Sequence, residues 1–371
     1  MKNKGFTLIE LLAVIVILAV IALIATPLIM GTITKAKKNA FIDTANGILK
    51  SAENYQAEKL ATTKGDVSNL VIPDIGKDEK LQYKGNKPQA GYLTVTSDGK
   101  TSIAIWSGQF CALKHLYDSK VTVDESIKTK DNCISEVIEA GEFATDSWQT
   151  IATVVKKNPR SYPLGAKKQV TLTGDYAGTY TVRVVNNTSP AECSQAGFSQ
   201  TACGFVVEFT DIITDLQLNS IDTNQGGWAN SQLHRIVNTN IYNSFPQNLK
   251  NVIKDTKVVS SYGGADSSNL ISSDKLYLLS PTEIWQGTST YIDKDSAKDL
   301  TRQLDYYRNS GTTVENKANV SKKNSEGSVI SYWLRSSYSS LNKFFLREIE
   351  GSCEFFTANT PLGVSPAFRI G

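Results

Sequence analysis

An α+β protein in two unequal parts is predicted by three observations on the sequence. An apolar run from Leu8 to Met30, broken only by Glu10, Thr26 and Pro27, continues at helical spacing to about Lys59. Two strand-like segments then flank Ser97-Asp98-Gly99-Lys100. From about Asp146, alternating and helical patterns mix, separated by polar, Gly- and Ser-rich stretches. Together these describe a long N-terminal hydrophobic helix with a small antiparallel sheet, followed by a larger, loop-rich α+β C-terminal domain.

The apolar run comes first. At 1.5 Å per residue, about 20 apolar residues cross a bilayer as a helix, and Leu11 to Ala25 contains only Leu, Ala, Val and Ile. Lys2 and Lys4 before it favour a cytoplasmic N-terminus, a bias that Lys35, Lys37 and Lys38 at the far end oppose. A secretory signal places its cleavage site after the apolar stretch. Here the small residue, Gly5, stands before it, so a cut at Gly5 would leave the hydrophobic segment on the mature chain. Glu10 is the anomaly, because an ionised and unpaired carboxylate in lipid costs several kcal/mol. Three readings are open: the carboxyl reaches the headgroups, is protonated, or pairs with a positive group of a neighbouring subunit. A cut after Gly5 would create such a group, the amine of Phe6, at the same depth.

The string Lys4-Gly5-Phe6-Thr7-Leu8-Ile9-Glu10 resembles the processing and methylation motif of type IV prepilins and pseudopilins. The resemblance implies cleavage between Gly5 and Phe6 by a membrane prepilin peptidase, then N-methylation of Phe6. It also implies that Glu10 sets subunit register during filament assembly and that Pro27 marks a place where the helix can bend or melt. Proline supports this physically, since it removes a backbone donor and clashes with the preceding turn. The implied partners are other pilin subunits, the prepilin peptidase/N-methylase, the pilus assembly platform and the cytoplasmic membrane. The implied location is a single-pass precursor with its C-terminal domain outside, then a surface pilus.

Beyond the apolar run, Ala36, Ala40, Phe41, Ala45, Ile48, Leu49, Ala52 and Tyr55 keep helical spacing, so this half of the helix is packed on something. Thr62-Thr63-Lys64-Gly65-Asp66 ends it. Tyr92 to Thr96 and Thr101 to Trp106 read as a strand pair about a tight turn. The domain expectation is a leader over 1–5, a filament-core helix over 6–30, a pilin-like module over 31–145 and a C-terminal domain over 146–371. Five cysteines stand at 111, 133, 193, 203 and 353. Outside the cytoplasm disulfides persist. Cys111 with Cys133 would close the last loop of the first module, stabilising it by about 3 kcal/mol. Cys193 and Cys203 flank a short polar loop before the strand Gly204 to Thr210. Cys353 is left over, as a buried free thiol or as the mate of one of the others.

In the C-terminal part, Trp148 to Val155 reads as an amphipathic helix, Lys168 to Leu172 and Thr179 to Val185 as a hairpin, and Trp228 to Tyr242 as a helix. Lys275 to Ser280 and Lys343 to Ile349 look like strands, and Ser260 to Ser273 and Asn309 to Ser328 like polar loops. Gly226-Gly227-Trp228, the stretch Lys275 to Glu283, Tyr332 to Ser336 and Gly363 to Phe368 resemble markers of a domain found on bacterial surface proteins. That domain carries no established activity and is similar to C-type-lectin-like and formylglycine-enzyme-like folds; Ser365 stands where such domains often carry Arg. Trp228 and Trp285 are candidates to stack on a sugar, with core packing as the competing reading. Arg335, set between Leu334 and Ser336, is either a structural hydrogen-bonding hub or a ligand contact.

Charge is nearly balanced, with 39 Lys and Arg against 36 Asp and Glu, so no global basic excess points to nucleic acid. His115 and His234 lie in different parts of the chain, no Cys-x-x-Cys occurs, and neither a metal site nor a cofactor is expected. Gly263-Gly264 lacks the Lys-Ser/Thr of a phosphate cradle, and Ser336 to Ser340 reads as a polar loop rather than a nucleophile elbow. The expectation is a non-enzymatic filament subunit. A mass of 40.5 kDa is bulky for a major repeating subunit. That favours a minor or tip pilin whose distal domain mediates adhesion to a glycan, a host or an abiotic surface. The alternatives are a pseudopilin of a type II secretion or DNA-uptake system and a surface enzyme anchored by a pilin-type helix.

Overall fold

The N-terminal helix α1 spans Leu8–Thr62, one unbroken element in the computed structural model. The structure describes residues 7–62, 69–264, 266, 268–286, 300–317, 319–338, 343–347 and 351–371. Gly5 and Phe6, the expected processing site, lie outside these residues. So do the ends of two expected elements, Gly65 and Asp66 after the helix and Glu348 to Ile349 of the last strand. α1 continues through Pro27, where the ring deprives the Leu23 carbonyl of its usual donor. The Thr26 hydroxyl donates to the Ala22 carbonyl beside it at 2.6 Å. The chain forms two units, Met1–Ile138 and Glu139–Gly371.

In the first unit the second half of α1 lies on a five-stranded antiparallel meander. The strands are β1 (Leu70–Ile72), β2 (Ala90–Val95), β3 (Thr101–Trp106), β4 (Cys111–Lys114) and β5 (Thr122–Asp124). Ala45, Ile48 and Ala52 recur at three- and four-residue intervals and are fully buried against Leu93, Ile103, Ile105 and Ala112. The alternate residues of the same strands, Tyr92, Ala104, Trp106 and Leu113, face Cys133 and Val137. Both faces of the sheet are therefore covered, which is why every residue of β3 is buried. Gly91 is required at one crossing: a Cβ there would stand 2.8 Å from Ile105 Cγ2. The short helix α2 (Lys130–Ser135) is capped by the Thr129 hydroxyl and tied to β4 by the Cys111–Cys133 disulfide.

The second unit begins before residue 146. Phe143 packs on Trp148, Tyr162 and Phe205 at ring distances of 6.0, 5.5 and 6.0 Å, so the junction residues belong to this core and the boundary falls earlier than 145. Helix α3 (Trp148–Lys157), capped by Ser147, buries Trp148, Ile151 and Val155. Strands β6 (Lys167–Leu172), β7 (Gly178–Thr188) and β8 (Gly204–Phe209) pair antiparallel, and the C-terminal strand β16 (Ala367–Ile370) completes this sheet beside β8. Cys193 and Cys203 form the second disulfide, and Cys353 is free. A second sheet runs β14-β13-β12-β15-β9, with β9 (Thr214–Leu216), β12 (Tyr332–Ser337), β13 (Lys343–Arg347), β14 (Cys353–Thr357) and β15 (Leu362–Val364). β12 and β15 are parallel there; the other pairings are antiparallel.

Four local expectations are corrected. Residues 260–273 are not one loop, since both their ends are strand: β10 (Thr256–Ser261) and β11 (Asn269–Asp274) pair in register from Thr256 opposite Asp274 to Ser261 opposite Asn269. Ser260, Ser261, Ser272 and Ser273 pair through the backbone without the β-branched side chains that mark a strand. Lys275–Ser280 is not a strand but a buried extended segment holding one bridge, Tyr277 to Ala367. Leu276 to Leu279 is buried all round, and a short continuous apolar run does not distinguish strand from irregular core. Trp228 precedes the helix expected around it, which comprises α4 (Gln232–Ile236) and a π-turn over Val237–Ile241, with the short helix α5 (Gln247–Lys250) after it. Ser336 and Ser337, expected in a loop, end the buried strand β12.

Candidate functional site

The first half of α1 presents an apolar surface that its own unit does not cover. No described residue from Leu8 to Met30 is buried, and seventeen large apolar side chains between Leu8 and Ile33 are exposed. Burying one such side chain contributes about 1.5–3 kcal/mol, so leaving them all in water costs on the order of tens of kcal/mol, beyond the stability of a typical domain. The rod is long and apolar enough to cross a membrane.

Glu10 sits at the head of this rod, exposed, in a capping box with Thr7. Its Oε2 accepts from the Thr7 backbone N–H at 2.9 Å and from the Thr7 hydroxyl at 2.8 Å. In return the Glu10 N–H donates to Thr7 Oγ1 at 3.4 Å. This Thr-x-x-Glu exchange satisfies donors that a helix start leaves free. Among the described residues no cation reaches the carboxylate.

The second unit holds its carboxylates differently. Glu283, in the first turn of α6 (Pro281–Ile284), accepts from the Ser280 N–H at 3.0 Å. It also grips Arg335 with both oxygens, at 2.6 Å to Nη1 and 2.8 Å to Nη2. Thr201 and Thr301 hydroxyls complete Oε1, and Arg335 Nη1 donates to the Leu278 carbonyl at 2.9 Å. Arg335 has no exposed surface, so it joins the Lys275–Glu283 stretch to β12 and contacts no external ligand.

In the other sheet of this unit, Glu208 of β8 is shared by two cations. Arg183 of β7 approaches at 2.6 Å and Lys322 at 2.9 Å, and the Tyr307 hydroxyl of α7 (Asp305–Asn309) donates at 2.9 Å. Burial pushes the Glu208 carboxyl up, but Lys322 and Arg183 more than offset it and hold it below its ordinary value. Burial lowers Lys322, with Glu208 opposing. Lys322 Nζ also donates to Ser365 Oγ and to the Phe209 carbonyl, at 2.9 and 2.8 Å. The position carrying Ser365 thus meets a buried cation supplied by another segment.

For the two tryptophans the core-packing reading holds and the sugar-stacking one does not. Trp228 is wholly buried and Trp285 is 2% exposed, so neither ring has a face for a sugar. Trp228 instead donates its indole N–H to Asp274 at 2.8 Å, and His234 Nε2 meets the other Asp274 oxygen at 2.8 Å. Gly227 before it is at φ +54°, and a Cβ there would lie 1.9 Å from the Ser261 carbonyl oxygen. The Gly-Gly-Trp marker is a packing device. At Cys353, burial and then Glu354 push the thiol upward, away from reactivity. Among the described residues no cluster of His, Cys, Asp and Glu could hold a metal.

Sequence reasoning missed Arg183, Glu208, Glu283 and Lys322. Glu208 carried a readable signal, an acid inside the apolar run Phe205-Val-Val-Glu-Phe209, the same anomaly as Glu10. Lys322 carried none, since it lies in a polar stretch.

Comparison with known proteins fits this division. Residues 1–26 match the prokaryotic N-terminal methylation motif, and residues 207–371 match a domain of unknown function, DUF6273. The type II secretion system core protein G of Dickeya chrysanthemi is 31% identical over 94 residues, which are 25% of this chain and 59% of that protein. The chain thus spans less than two thirds of that relative. No solved structure matches. A methylation motif at the head of an exposed apolar rod, continuous with a helix packed on an antiparallel sheet, defines a type IV pilin-like protein. Its particular character lies in the second unit, where the domain of unknown function begins inside β8 and draws β6 and β7 into the same sheet.

Proposed function

We propose that this chain is a filament subunit, held in the cytoplasmic membrane as a precursor and cut between Gly5 and Phe6. It then packs by its apolar rod against the rods of other copies. The observation that carries the reading is the uncovered surface from Leu8 to Ile33. Head-to-tail packing of such rods is heterologous and propagates as an open fibre. Glu10 takes the Phe6 amine of a neighbouring copy and so sets register, since its own unit offers it nothing beyond Thr7 among the described residues. Two disulfides favour an oxidising compartment for the rest of the chain. The C-terminal unit serves as a ligand-binding, adhesive module of a minor or tip pilin and performs no catalysis.

A second reading, a pseudopilin of a secretion system, is favoured by the name of the relative from Dickeya chrysanthemi. Antibody labelling separates the two: long surface filaments carrying this chain support the pilus, and periplasm-confined material the pseudopilus. The central test is Glu10→Gln. Membrane insertion should be unchanged while the amount recovered in sheared filaments falls at least tenfold, on the order of the 1.4 kcal/mol or more expected for a lost buried pair. Normal recovery of that variant, or a mature N-terminus other than methylated Phe6 by mass spectrometry, overturns the proposal.

A further inference from the structure

We propose that the C-terminal unit binds an acidic carbohydrate, a hydroxylated chain bearing carboxylate, sulfate or phosphate groups, in a cleft on the β6–β7–β8 sheet. This names the ligand class for the external module proposed above and rests on that reading for its biological setting.

The cleft has a volume of about 640 Å³, within the range of small-ligand sites. Strand register builds its floor. Lys167 stands opposite Arg183 and Gln169 opposite Thr181, so these four share one face of the β6–β7 pair. The chain leaving β8 extends the floor: the Thr210 hydroxyl donates to the Thr181 carbonyl at 3.0 Å, and the Thr181 N–H donates to Asp211 at 2.6 Å. The far rim is the segment carrying Ser321 and Lys323, pinned by the Ile212 N–H donating to the Lys323 carbonyl at 2.7 Å.

Charge selects the ligand. Lys167 and Lys323 are exposed, and among the described residues neither ammonium has an ion-pair mate. Beneath them Arg183 and Lys322 share the carboxylate Glu208, and the Asp211 carboxylate also acts on Lys322. The acid of the lining, Asp211, accepts from the Thr181 N–H and keeps its negative charge, set against the four cations Lys167, Lys168, Arg183 and Lys323 of the same lining. Lys168 forms part of the wall, its ammonium held by the Ala144 and Asp146 carbonyls at 2.9 and 2.7 Å. A low-dielectric cleft with this excess concentrates anions. Its remaining groups, the Gln169 amide and the Thr181, Thr210 and Ser321 hydroxyls, suit sugar hydroxyls. No aromatic side chain is among the lining residues, so unpaired bases would find no stacking platform, which disfavours single-stranded nucleic acid.

The test uses the full chain in detergent micelles, titrated with polygalacturonate, heparin, neutral dextran and oligothymidylate. Polygalacturonate or heparin should bind, more weakly as salt rises, and whichever binds tighter identifies the acidic group. Lys167→Glu and Lys323→Glu should each weaken binding roughly tenfold, and together abolish it. Lys156→Glu on α3, with the same change in net charge, should have no effect. Unchanged near-ultraviolet circular dichroism verifies that the exposed-site variants fold. Equal binding by the double variant, failure of both acidic polymers, equal affinity for dextran, or tighter binding of oligothymidylate each overturns the proposal. Filament recovery keeps the two readings apart. If the purified chain binds the polymer but never enters filaments, the subunit reading fails and the cleft stands; if it enters filaments but binds no acidic polymer, the cleft fails alone.

Discussion

The first turns of α1 and α6 carry the same local motif and meet opposite fates. Thr7-x-x-Glu10 and Ser280-x-x-Glu283 both place a glutamate where it can accept from the backbone N–H that opens its helix, at 2.9 and 3.0 Å. Around Glu283 the fold closes an arginine, two threonines and a strand. Around Glu10 it places only Thr7 among the described residues, at the head of an uncovered apolar rod. A capping box therefore says where a helix starts and nothing about what its acid is for. The finished site belongs to a domain core; the unfinished one, on the function proposed above, would be completed by a second molecule.

That contrast is broken most severely from the Glu283 side. Arg335→Ala should destabilise the C-terminal unit by about 3–5 kcal/mol, because it strands a buried carboxylate. Arg335→Met combined with Glu283→Gln should recover much of the loss. Urea unfolding followed by tryptophan fluorescence reads this, and a loss below about 1 kcal/mol for Arg335→Ala would show that the pair does not hold the core.

A smaller effect is expected at Glu208, whose folded pKa lies below the ordinary 4.5. A lowered carboxylate contributes stability that is fully present above 4.5 and is lost as pH falls through the folded value. The unfolding midpoint should therefore drop from pH 5 to pH 3, and drop less steeply in Glu208→Gln, whatever that variant's starting stability. Identical slopes would remove Glu208 from the acid response. The smallest effect sits at the rod: Thr7→Ala should cost about 1 kcal/mol of local helix stability. It should be seen as faster amide exchange over the first turn of α1 in micelles, with the unfolding of the packed unit unchanged. Slower or equal exchange would mean the capping box contributes nothing there.

Legibility followed the range of the interactions. The rod, the packed stripe Ala45, Ile48 and Ala52, the hairpin about Ser97 to Lys100 and the Thr179 to Val185 part of β7 were readable, because each is a local period of 3.6 or 2. Both disulfides were readable as short separations, 22 and 10 residues. The serine-rich ends of strands β10 and β11 were not, since backbone pairing rather than side-chain composition defines them. The candidate ligand residues Trp228, Trp285 and Arg335 were singled out as unusual, yet their type suits a core as well, and there they are found.

By itself the sequence determined that a greasy N-terminal rod carries an acid at its head and that two cysteine pairs lie close along the chain, because hydropathy, helix caps and short loop closure are local properties. Only the tertiary structure decided that Glu208 is shared by Arg183 and Lys322 and that Glu283 meets Arg335, residues separated by 25, 114 and 52 positions. Which charges are neutralised inside a fold depends on strand order and register, and these arise from packing the whole domain.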